Sequence, residues 1–141
     1  MIRYVETVEN ISPAQLRGFF VGWPTPPSPE THLEILRRAF RVVLAMDDTT
    51  GQVVGFVNAV ADGIHAAYLP MLEVLPAYRK RGVGSELMQR MLASLRDLYM
   101  VDLICDPELQ PFYERLGMFA RVGMARRNFQ RQSGPSTQNF C

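Results

Sequence analysis

The sequence lacks several features that would point to particular classes of protein. Its 141 residues include two cysteines, Cys105 and Cys141, which suggest neither a disulfide framework nor a metal site. The 15 Lys and Arg residues are balanced by 14 Asp and Glu residues, which argues against a general nucleic-acid or membrane-surface binder. No apolar run approaches membrane-spanning length, and the N-terminus lacks the apolar core of a signal peptide. We therefore expect a soluble cytoplasmic protein that binds no metal, nucleic acid or membrane.

The composition is that of a chain that can build a core. Hydrophobic residues make up 48% of the sequence, which argues against wholesale disorder. The length favours one compact domain, which we place at residues 1–132, followed by a polar C-terminal tail at residues 133–141. No internal repeat is visible.

Periodicity and capping signals predict the element order β-α-α-β-β-β-α-β-α-β. The predicted helices begin at the caps Ser12 and Ser28, at the glycine-rich stretch ending in Gly84, and at Pro107. The predicted strands, in chain order, are IRYVETV, the two runs of a hairpin turning at Asp47 to Gly51, HAAYLPMLEV, YMVDLICD and FARVGMARRNF. The order predicts an α+β or α/β fold with a mostly antiparallel sheet and one parallel crossover over residues 68–105.

Two details of these elements bear on function. Pro70 interrupts the fourth predicted strand, which indicates an edge, a bulge or a splayed end instead of a regular central ladder. Cys105 falls inside an apolar predicted strand, where a thiol is usually inert.

The stretch PAYRKRGVGSELM, residues 76–88, places three cations next to two glycines at the start of a predicted helix. Free backbone N–H groups and the positive end of a helix dipole bind phosphate in such places, and glycine allows close approach. A dinucleotide fingerprint needs a third glycine where Leu87 stands, and the P-loop pattern is absent. An ordinary solvated turn and a local anion cradle both remain compatible with the residues.

The pattern Arg79-x-x-Gly82-x-Gly84 resembles the acetyl-CoA-binding signature of the GCN5-related N-acetyltransferase (GNAT) superfamily. The resemblance extends to the preceding Leu72-x-Val74-x-Pro76, to the amphipathic helix that follows, and to Tyr113-x-x-x-Gly117. It implies a GNAT-like fold with a mostly antiparallel sheet of six to seven strands and about four helices. It also implies an acetyl-CoA-dependent N-acetyltransferase whose acceptor is a small-molecule or peptide amine, attacked directly in a ternary complex.

The resemblance implies roles for individual residues. Those expected to bind the cofactor are Leu72, Val74, Arg79, Lys80, Arg81, Gly82, Val83, Gly84, Ser85, Asp106 and Tyr113. Among these, the loop amides would hold the pyrophosphate, and the backbone of Leu72 and Val74 would pair with the pantetheine arm. The Val74 amide would polarise the acetyl carbonyl, and Tyr113 would protonate the departing thiolate. Asp106 stands where many members have Asn, and an ionised Asp accepts a hydrogen bond but donates none.

Other candidates come from position along the strand and from loop composition. Glu73 lies between two inward-facing residues, so it should face the opposite side and an acceptor cleft, as a base, as a recogniser of a cationic amine, or as an ordinary surface carboxylate. His65 and Tyr68, near the start of that strand, could relay a proton. Trp23, in a proline-rich loop, either covers the acceptor or anchors the loop.

Two further possibilities stay open on sequence grounds. A non-catalytic acyl-CoA-binding sensor of the same fold would carry the same loop, since fold does not fix function. The arginines at 121, 126, 127 and 131 form a basic run that fits a solvated strand face, an acidic acceptor or another subunit, so a homodimer is possible.

Overall fold

A five-stranded sheet forms the centre of the computed structural model, which describes residues 1–135. The strands are β1 Ile2–Val5, β2 Arg41–Asp47, β3 Gln52–Ala61, β4 Ala66–Val74 and β5 Met100–Asp102, and they lie side by side in chain order. β1 to β4 pair antiparallel, and β5 pairs parallel to β4. The prediction of a mostly antiparallel sheet is confirmed, whereas the predicted number of six to seven strands is wrong for the described residues.

Three α-helices accompany the sheet, α1 Pro29–Arg37, α2 Val83–Ser94 and α3 Gln110–Glu114. Single 3₁₀ turns lie at Pro13–Leu16, Pro76–Tyr78, Pro107–Leu109 and Phe129–Arg131. The cap of α1 is as predicted, because the Ser28 side chain accepts a hydrogen bond from the Thr31 amide at 3.1 Å. The count of about four α-helices is wrong by one in the described part of the chain.

The missing helix is the one predicted from Ser12. Its cap forms, with the Ser12 amide donating to Gln15 Oε1 at 2.9 Å, but only the 3₁₀ turn Pro13–Leu16 follows. Gly18 and Phe20 both adopt positive φ, 92° and 64°, which ends any helix at that point. The predicted cap at Ser12 is therefore confirmed, whereas the predicted length of the helix that follows it is wrong.

The last predicted strand is also wrong. Residues 118–128, which we call the C-terminal arm, run without a turn or bend but join no strand ladder. Alternation of apolar and polar residues favours a strand only where a neighbouring strand edge is available. β5 is likewise shorter than the predicted YMVDLICD, and Cys105 lies beyond its end. The tail prediction for residues 136–141 falls outside the described residues.

Two apolar clusters cover the faces of the sheet. α2 packs Val83, Leu87, Met88 and Met91 on one face, while α1 and the segment from Ile11 to Phe20 cover the other face. Gly55 lets α2 approach closely, because a Cβ there would lie 3.0 Å from Leu87 Cδ1 and 3.3 Å from Val83 Cγ1. Since Val83 is the first residue of α2, this contact fixes where the helix N-terminus lies over the sheet.

The register of β4 contains the irregularity that Pro70 predicts. Asn58 pairs with Met71 and Val60 with Tyr68, so three steps along β4 match two along β3. The extra residue in β4 is a bulge, and Pro70 lies within it. β5 pairs with β4 only from Ala66 to Tyr68, so among residues 1–135 β4 has a free edge beyond the bulge.

Candidate active site

A cleft opens where β4 and the chain after β5 part. One wall carries the β4 residues from Leu69 to Glu73, and the other carries the residues from Leu103 to Asp106. The cleft has a volume of about 650 Å³, within the size range of small-molecule sites. The splayed strand end expected from Pro70 is thus present, and it creates a groove with a free strand edge along one side.

The hydrogen-bond register shows which β4 backbone groups face this groove. The Leu75 amide donates to the Val54 carbonyl at 2.8 Å, which makes Leu75 and Val54 a hydrogen-bonded pair. Such pairs alternate along an antiparallel ladder, so Glu73 and Met71 also bond to β3. The N–H and C=O groups of Leu72 and Val74 therefore point away from β3, toward the edge that β5 has left.

The glycine-rich loop leads into the N-terminus of α2 at the end of this edge. Gly82 is the helix cap, with φ of 80°, and Lys80 is left-handed as well, with φ of 63°. Among described residues, no protein acceptor is found for the amides of residues 81–85. Successive free amides at a helix N-terminus form an anion-binding concavity, so the loop has the local geometry of an anion cradle.

Arg79 links the loop to the strand edge. Its Nε donates to the Val74 carbonyl at 2.9 Å, and its side chain lines the cleft. That bond occupies the carbonyl of Val74 and leaves the Val74 amide free. The flanking cations Lys80 and Arg81 are exposed, and the Arg81 guanidinium lies 5.2 Å from the centre of the Tyr78 ring.

Tyr113 of α3 lies opposite β4 and lines the cleft together with Cys105 and Asp106. Burial, with a smaller contribution from Cys105, raises the pKa of Tyr113 to about 12. The phenol therefore stays protonated at neutral pH and is available as a hydrogen-bond donor. Burial, with smaller contributions from the acidic neighbours Asp106 and Glu108, also raises the pKa of the Cys105 thiol. The thiol is consequently a poor nucleophile, although it lines a cavity and does not lie within a strand as expected.

Glu73 lines the cleft, and its carboxylate holds a loop. Oε1 accepts a hydrogen bond from the Phe20 amide at 2.8 Å, and Oε2 accepts one from the Val21 amide at 3.3 Å. Phe20 is left-handed between Gly18 and Gly22, which are also at positive φ. A carboxylate bound to two amides stabilises this strained turn, so Glu73 has a structural task whatever its chemical role.

The three residues expected to bind the acceptor lie in different places. Trp23 lines the cleft and packs on Phe20, with ring centres 4.9 Å apart. Tyr68 lines a second cavity, which shares Leu103 to Cys105 with the cleft. His65 is exposed and stacks on Tyr99, with ring centres 5.0 Å apart, and it lines neither cavity. Only Trp23 therefore borders the cleft.

Several residues that border the cleft were not singled out from the sequence. The Phe20 and Val21 amides are tied to Glu73, and Ile104 also lines the cleft. The spacing of Gly18 and Gly22 was a usable signal of an irregular turn. Arg127, which the sequence analysis named as part of a basic run, also lines the cleft. The sequence did not predict this position, because it depends on how the C-terminal arm returns across the molecule.

The family of the chain follows from comparison with known proteins. A model described as the acetyltransferase (GNAT) family matches residues 8–118. The chain belongs to the GNAT family of acetyltransferases. The resemblance seen in the loop and in the tyrosine motif is thereby confirmed.

Individual relatives of this GNAT chain differ widely in similarity. A crystal structure from Deinococcus radiodurans R1, of a protein named as an acetyltransferase, is 53% identical, with a TM-score of 0.92 and coverage of 96% of this chain and 94% of that chain. The chloroplastic GCN5-related N-acetyltransferase 3 of Arabidopsis thaliana is 30% identical over 80 residues, which are 55% of this chain and 34% of that protein. This chain thus spans about a third of the length of that relative.

A more distant solved structure is described with a ligand. The enzyme AAC(6')-Iy, in complex with the bisubstrate analogue CoA-S-monomethyl-acetylneamine, is 21% identical, with a TM-score of 0.63 over 91% of this chain and 99% of that chain. At this identity the likeness concerns the fold alone.

Within residues 1–135, no helix is long and apolar enough to cross a membrane. The same residues contain no group of three or more His, Cys, Asp and Glu side chains arranged to hold a metal ion.

Proposed function

We propose that the chain is an acetyl-CoA-dependent N-acetyltransferase that transfers the acetyl group to a primary amine by direct attack in a ternary complex. The observation that carries the proposal is the free edge of β4, whose Leu72 and Val74 amides face the cleft next to the free loop amides of residues 81–85. The combination suits a ligand with a peptide-like arm and a phosphate end. Acetyl-CoA has both, and it supplies an acetyl group activated as a thioester.

The residues present fit such a ligand on physical grounds. The amides of Gly82, Val83, Gly84 and Ser85, with Arg81, would hold the pyrophosphate, assisted by the dipole of α2. Arg79 and Lys80 would add positive charge, although Arg79 is also bonded to the Val74 carbonyl. The backbone of Leu72 and Val74 would pair with the pantetheine arm as an added strand, which is an established mode of recognition at sheet edges. Asp106, on the facing wall, would accept a hydrogen bond from that arm.

Two groups of this chain, the Val74 amide and the Tyr113 phenol, are assigned roles in the chemical step. The free Val74 amide would donate a hydrogen bond to the acetyl carbonyl oxygen as negative charge collects there. Tyr113 would donate its phenolic proton to the sulfur of the leaving group. With a pKa of about 12, the phenol is a weaker acid than free tyrosine, so its hydrogen bond to the sulfur matters as much as full transfer.

The incoming amine must be neutral, because an ammonium group has no lone pair with which to attack. Glu73 lines the cleft, but its oxygens already accept hydrogen bonds from the Phe20 and Val21 amides. We therefore assign Glu73 the role of positioning the loop that carries Trp23, in preference to the role of general base. Direct attack is favoured over an acyl-enzyme because the raised pKa of Cys105 keeps that thiol protonated at neutral pH.

The experiment that tests the proposal measures release of free thiol from acetyl-CoA across a library of amines. The library contains small amines, amino acids, polyamines, aminoglycosides and peptides with free N-termini. We expect turnover with at least one class of amine. Tyr113→Phe should lower that turnover strongly, and Cys105→Ser should keep it. Tight CoA binding without turnover across the whole library would favour the sensor alternative, and absence of CoA binding would refute both.

A further inference from the structure

The loop that carries Trp23, residues 21–29, has few backbone donors of its own. Its sequence VGWPTPPSP contains four prolines, so Thr25 is the only residue between Trp23 and Ser28 with an N–H group. The Trp23 amide donates to the Phe20 carbonyl at 3.1 Å, within the same turn of the chain. The Thr25 amide is therefore the one group that can tie the middle of the loop to another part of the chain by a backbone donor.

The amide and the hydroxyl of Thr25 both donate to one atom of a distant residue. Gln132 Oε1 accepts a hydrogen bond from the Thr25 amide at 2.8 Å and another from Thr25 Oγ1 at 3.0 Å. The two residues lie 107 positions apart in the sequence. Gln132 is half-buried, whereas Thr25 is exposed. These hydrogen bonds therefore join the loop to the far end of the described chain.

Gln132 belongs to a hydrogen-bonded segment from Asn128 to Gly134, which we call the C-terminal turn. The Arg131 amide donates to the Asn128 carbonyl, and the Gly134 amide donates to the Arg131 carbonyl, both at 3.0 Å. The segment also packs on α1, because a Cβ at Gly134 would lie 3.0 Å from Thr31 Cγ2. Its own hydrogen bonds and this close contact fix the C-terminal turn, so it can hold Gln132 in one place.

The backbone between Thr25 and Trp23 is stiff. Only Pro24 separates them, and its ring fixes φ at about −65° and restricts the residue before it. The position of Thr25 is consequently passed on to Trp23, which lines the cleft. The loop is thus held on both sides of the indole, by Glu73 before it and by Gln132 after it.

We propose that Gln132 is a positioning residue for the acceptor, which by holding Thr25 places Trp23 at the wall of the cleft. Gln132 does not itself line the cleft, so it acts through Trp23. The acceptor side of the site is then complete only when the C-terminal turn is docked on the loop. That Trp23 serves an acceptor amine rests on the proposed function, whereas the placement of Trp23 by Gln132 does not.

The fluorescence of Trp23 tests this placement without any ligand, because Trp23 is the single tryptophan of the chain. The experiment measures the emission maximum and acrylamide quenching of the parent, Gln132→Ala and Gln132→Glu. We expect Gln132→Ala to shift the emission to the red and to raise the quenching constant, toward a limit of about 2.5-fold set by the 40% exposure of Trp23. Gln132→Glu keeps an acceptor oxygen for Thr25 and should behave like the parent.

Gln130 offers a matched control in the same C-terminal turn. Its side chain is exposed and forms no hydrogen bond with a described residue, so Gln130→Ala should leave the fluorescence of Trp23 unchanged. Melting temperatures should differ little among the variants, because the contact lies at the surface. Quenching in Gln132→Ala that equals the parent's, or a rise of the same size in Gln130→Ala or Gln132→Glu, would overturn the proposal.

Kinetics with an amine that releases thiol in the library assay connect the loop to the acceptor. Gln132→Ala should raise the acceptor KM by roughly 5- to 50-fold and leave kcat and the acetyl-CoA KM within about 2-fold of the parent. Trp23→Ala and the double variant should share one acceptor KM, because Gln132 acts through Trp23. Equal rises in both KM values, or additive effects in the double variant, would contradict the assignment. A library without turnover would count against the proposed function alone, and the fluorescence would still decide the role of Gln132.

Discussion

At the scale of single residues, burial decides the protonation of the groups around the cleft. Tyr113 and Cys105 both have raised pKa values because their charged forms lose hydration, so both are protonated at neutral pH. A protonated phenol can donate a proton or hydrogen bond, whereas a protonated thiol cannot attack a thioester effectively. The same physical effect therefore supports a role for Tyr113 and argues against one for Cys105.

The role of Tyr113 is tested by Tyr113→Phe, which removes the hydroxyl and keeps the ring that packs against Phe112 at 4.9 Å. If the phenol assists the leaving group, kcat falls by roughly 10- to 1000-fold, near the usual range for acid catalysis, while CoA affinity changes little. The measurements are kcat and the melting temperature of Tyr113→Phe and Tyr113→Ala. Normal turnover by Tyr113→Phe, with a stability loss only in Tyr113→Ala, would reduce Tyr113 to a packing residue.

His32 offers a test of the apolar cluster that covers the α1 face of the sheet. The residue is fully buried among Phe19, Phe20 and Phe56, its ring nitrogens have no partner among the described residues, and burial lowers its pKa to about 4. The fold holds the imidazole neutral, and the unfolded chain takes up a proton below its ordinary pKa of 6.5. The stability present above pH 6.5 is therefore lost as the pH falls toward 4.

The loss should be on the order of 3 kcal/mol between pH 6.5 and 4, from the difference between the two pKa values. Urea unfolding of the parent and of His32→Phe, at a series of pH values, isolates the contribution of this side chain. The variant should lack that part of the acid destabilisation. A parallel pH dependence in both proteins would show that other groups dominate.

At the scale of elements, the loop and the strand edge are positioned by packing more than by their own sequence. Gly55 allows α2 to lie close to β3, and Arg79 ties the loop to the end of β4. Gly82 has the positive φ that the cap requires, whereas Gly84 does not. A Cβ at Gly84 would lie 3.7 Å from Phe112 and 3.8 Å from Val74, which is ordinary contact.

That difference gives a matched pair of variants for CoA binding. Gly84→Ala should fold and bind within about 3-fold of the parent, whereas Gly84→Glu should bind at least roughly 10-fold more weakly, because it adds bulk and negative charge at the helix N-terminus. Calorimetric titration with CoA measures both, and circular dichroism checks that both variants fold. Equal affinity in the folded Glu variant would refute the loop as the pyrophosphate site.

The loop held by Glu73 gives a second comparison at this scale. If Glu73 is an anchor, Glu73→Ala leaves two amides unpaired, lowers the free energy of unfolding by about 1–3 kcal/mol and raises the acceptor KM. Glu73→Gln keeps a carbonyl oxygen for the Phe20 amide and should recover much of both losses. A general base predicts instead that Gln is as inactive as Ala, with a fall of roughly 10²- to 10⁴-fold in kcat and loss of the acidic limb of the pH profile.

The elements that the sequence predicted well are those with local signals. Each of these signals depends on residues within a few positions of each other. They are the caps at Ser12 and Ser28, the hairpin at Asp47–Gly51, the irregularity at Pro70 and the start of α2. The helix after Ser12 and the last strand were wrong because their lengths depend on tertiary neighbours. Gly18 and Phe20 turn the chain early to meet Glu73, and the C-terminal arm joins no strand ladder among the described residues.

At the scale of the whole molecule, the loop and tyrosine motifs identified the family, and the family model confirmed it. The sequence could not reveal that the β4 edge stays free beyond Tyr68, that Glu73 holds two loop amides, or that His65 lies outside the cleft. Each of these depends on which residues far apart in sequence come together. The roles of the site residues, the acceptor, the single-domain arrangement and the cytoplasmic location remain predictions.

A titration of the ¹⁵N-labelled protein with CoA, followed residue by residue in amide NMR spectra, tests the proposed cofactor site. We expect the free amides of Leu72, Val74 and residues 82–85 to shift together and to saturate with one dissociation constant. The amides of Met71 and Glu73, which bond to β3, should shift less. Saturable shifts confined to the second cavity around Met118 to Ala125, or no shifts at millimolar CoA, would contradict the claim that the β4 edge and the α2 loop form the cofactor site.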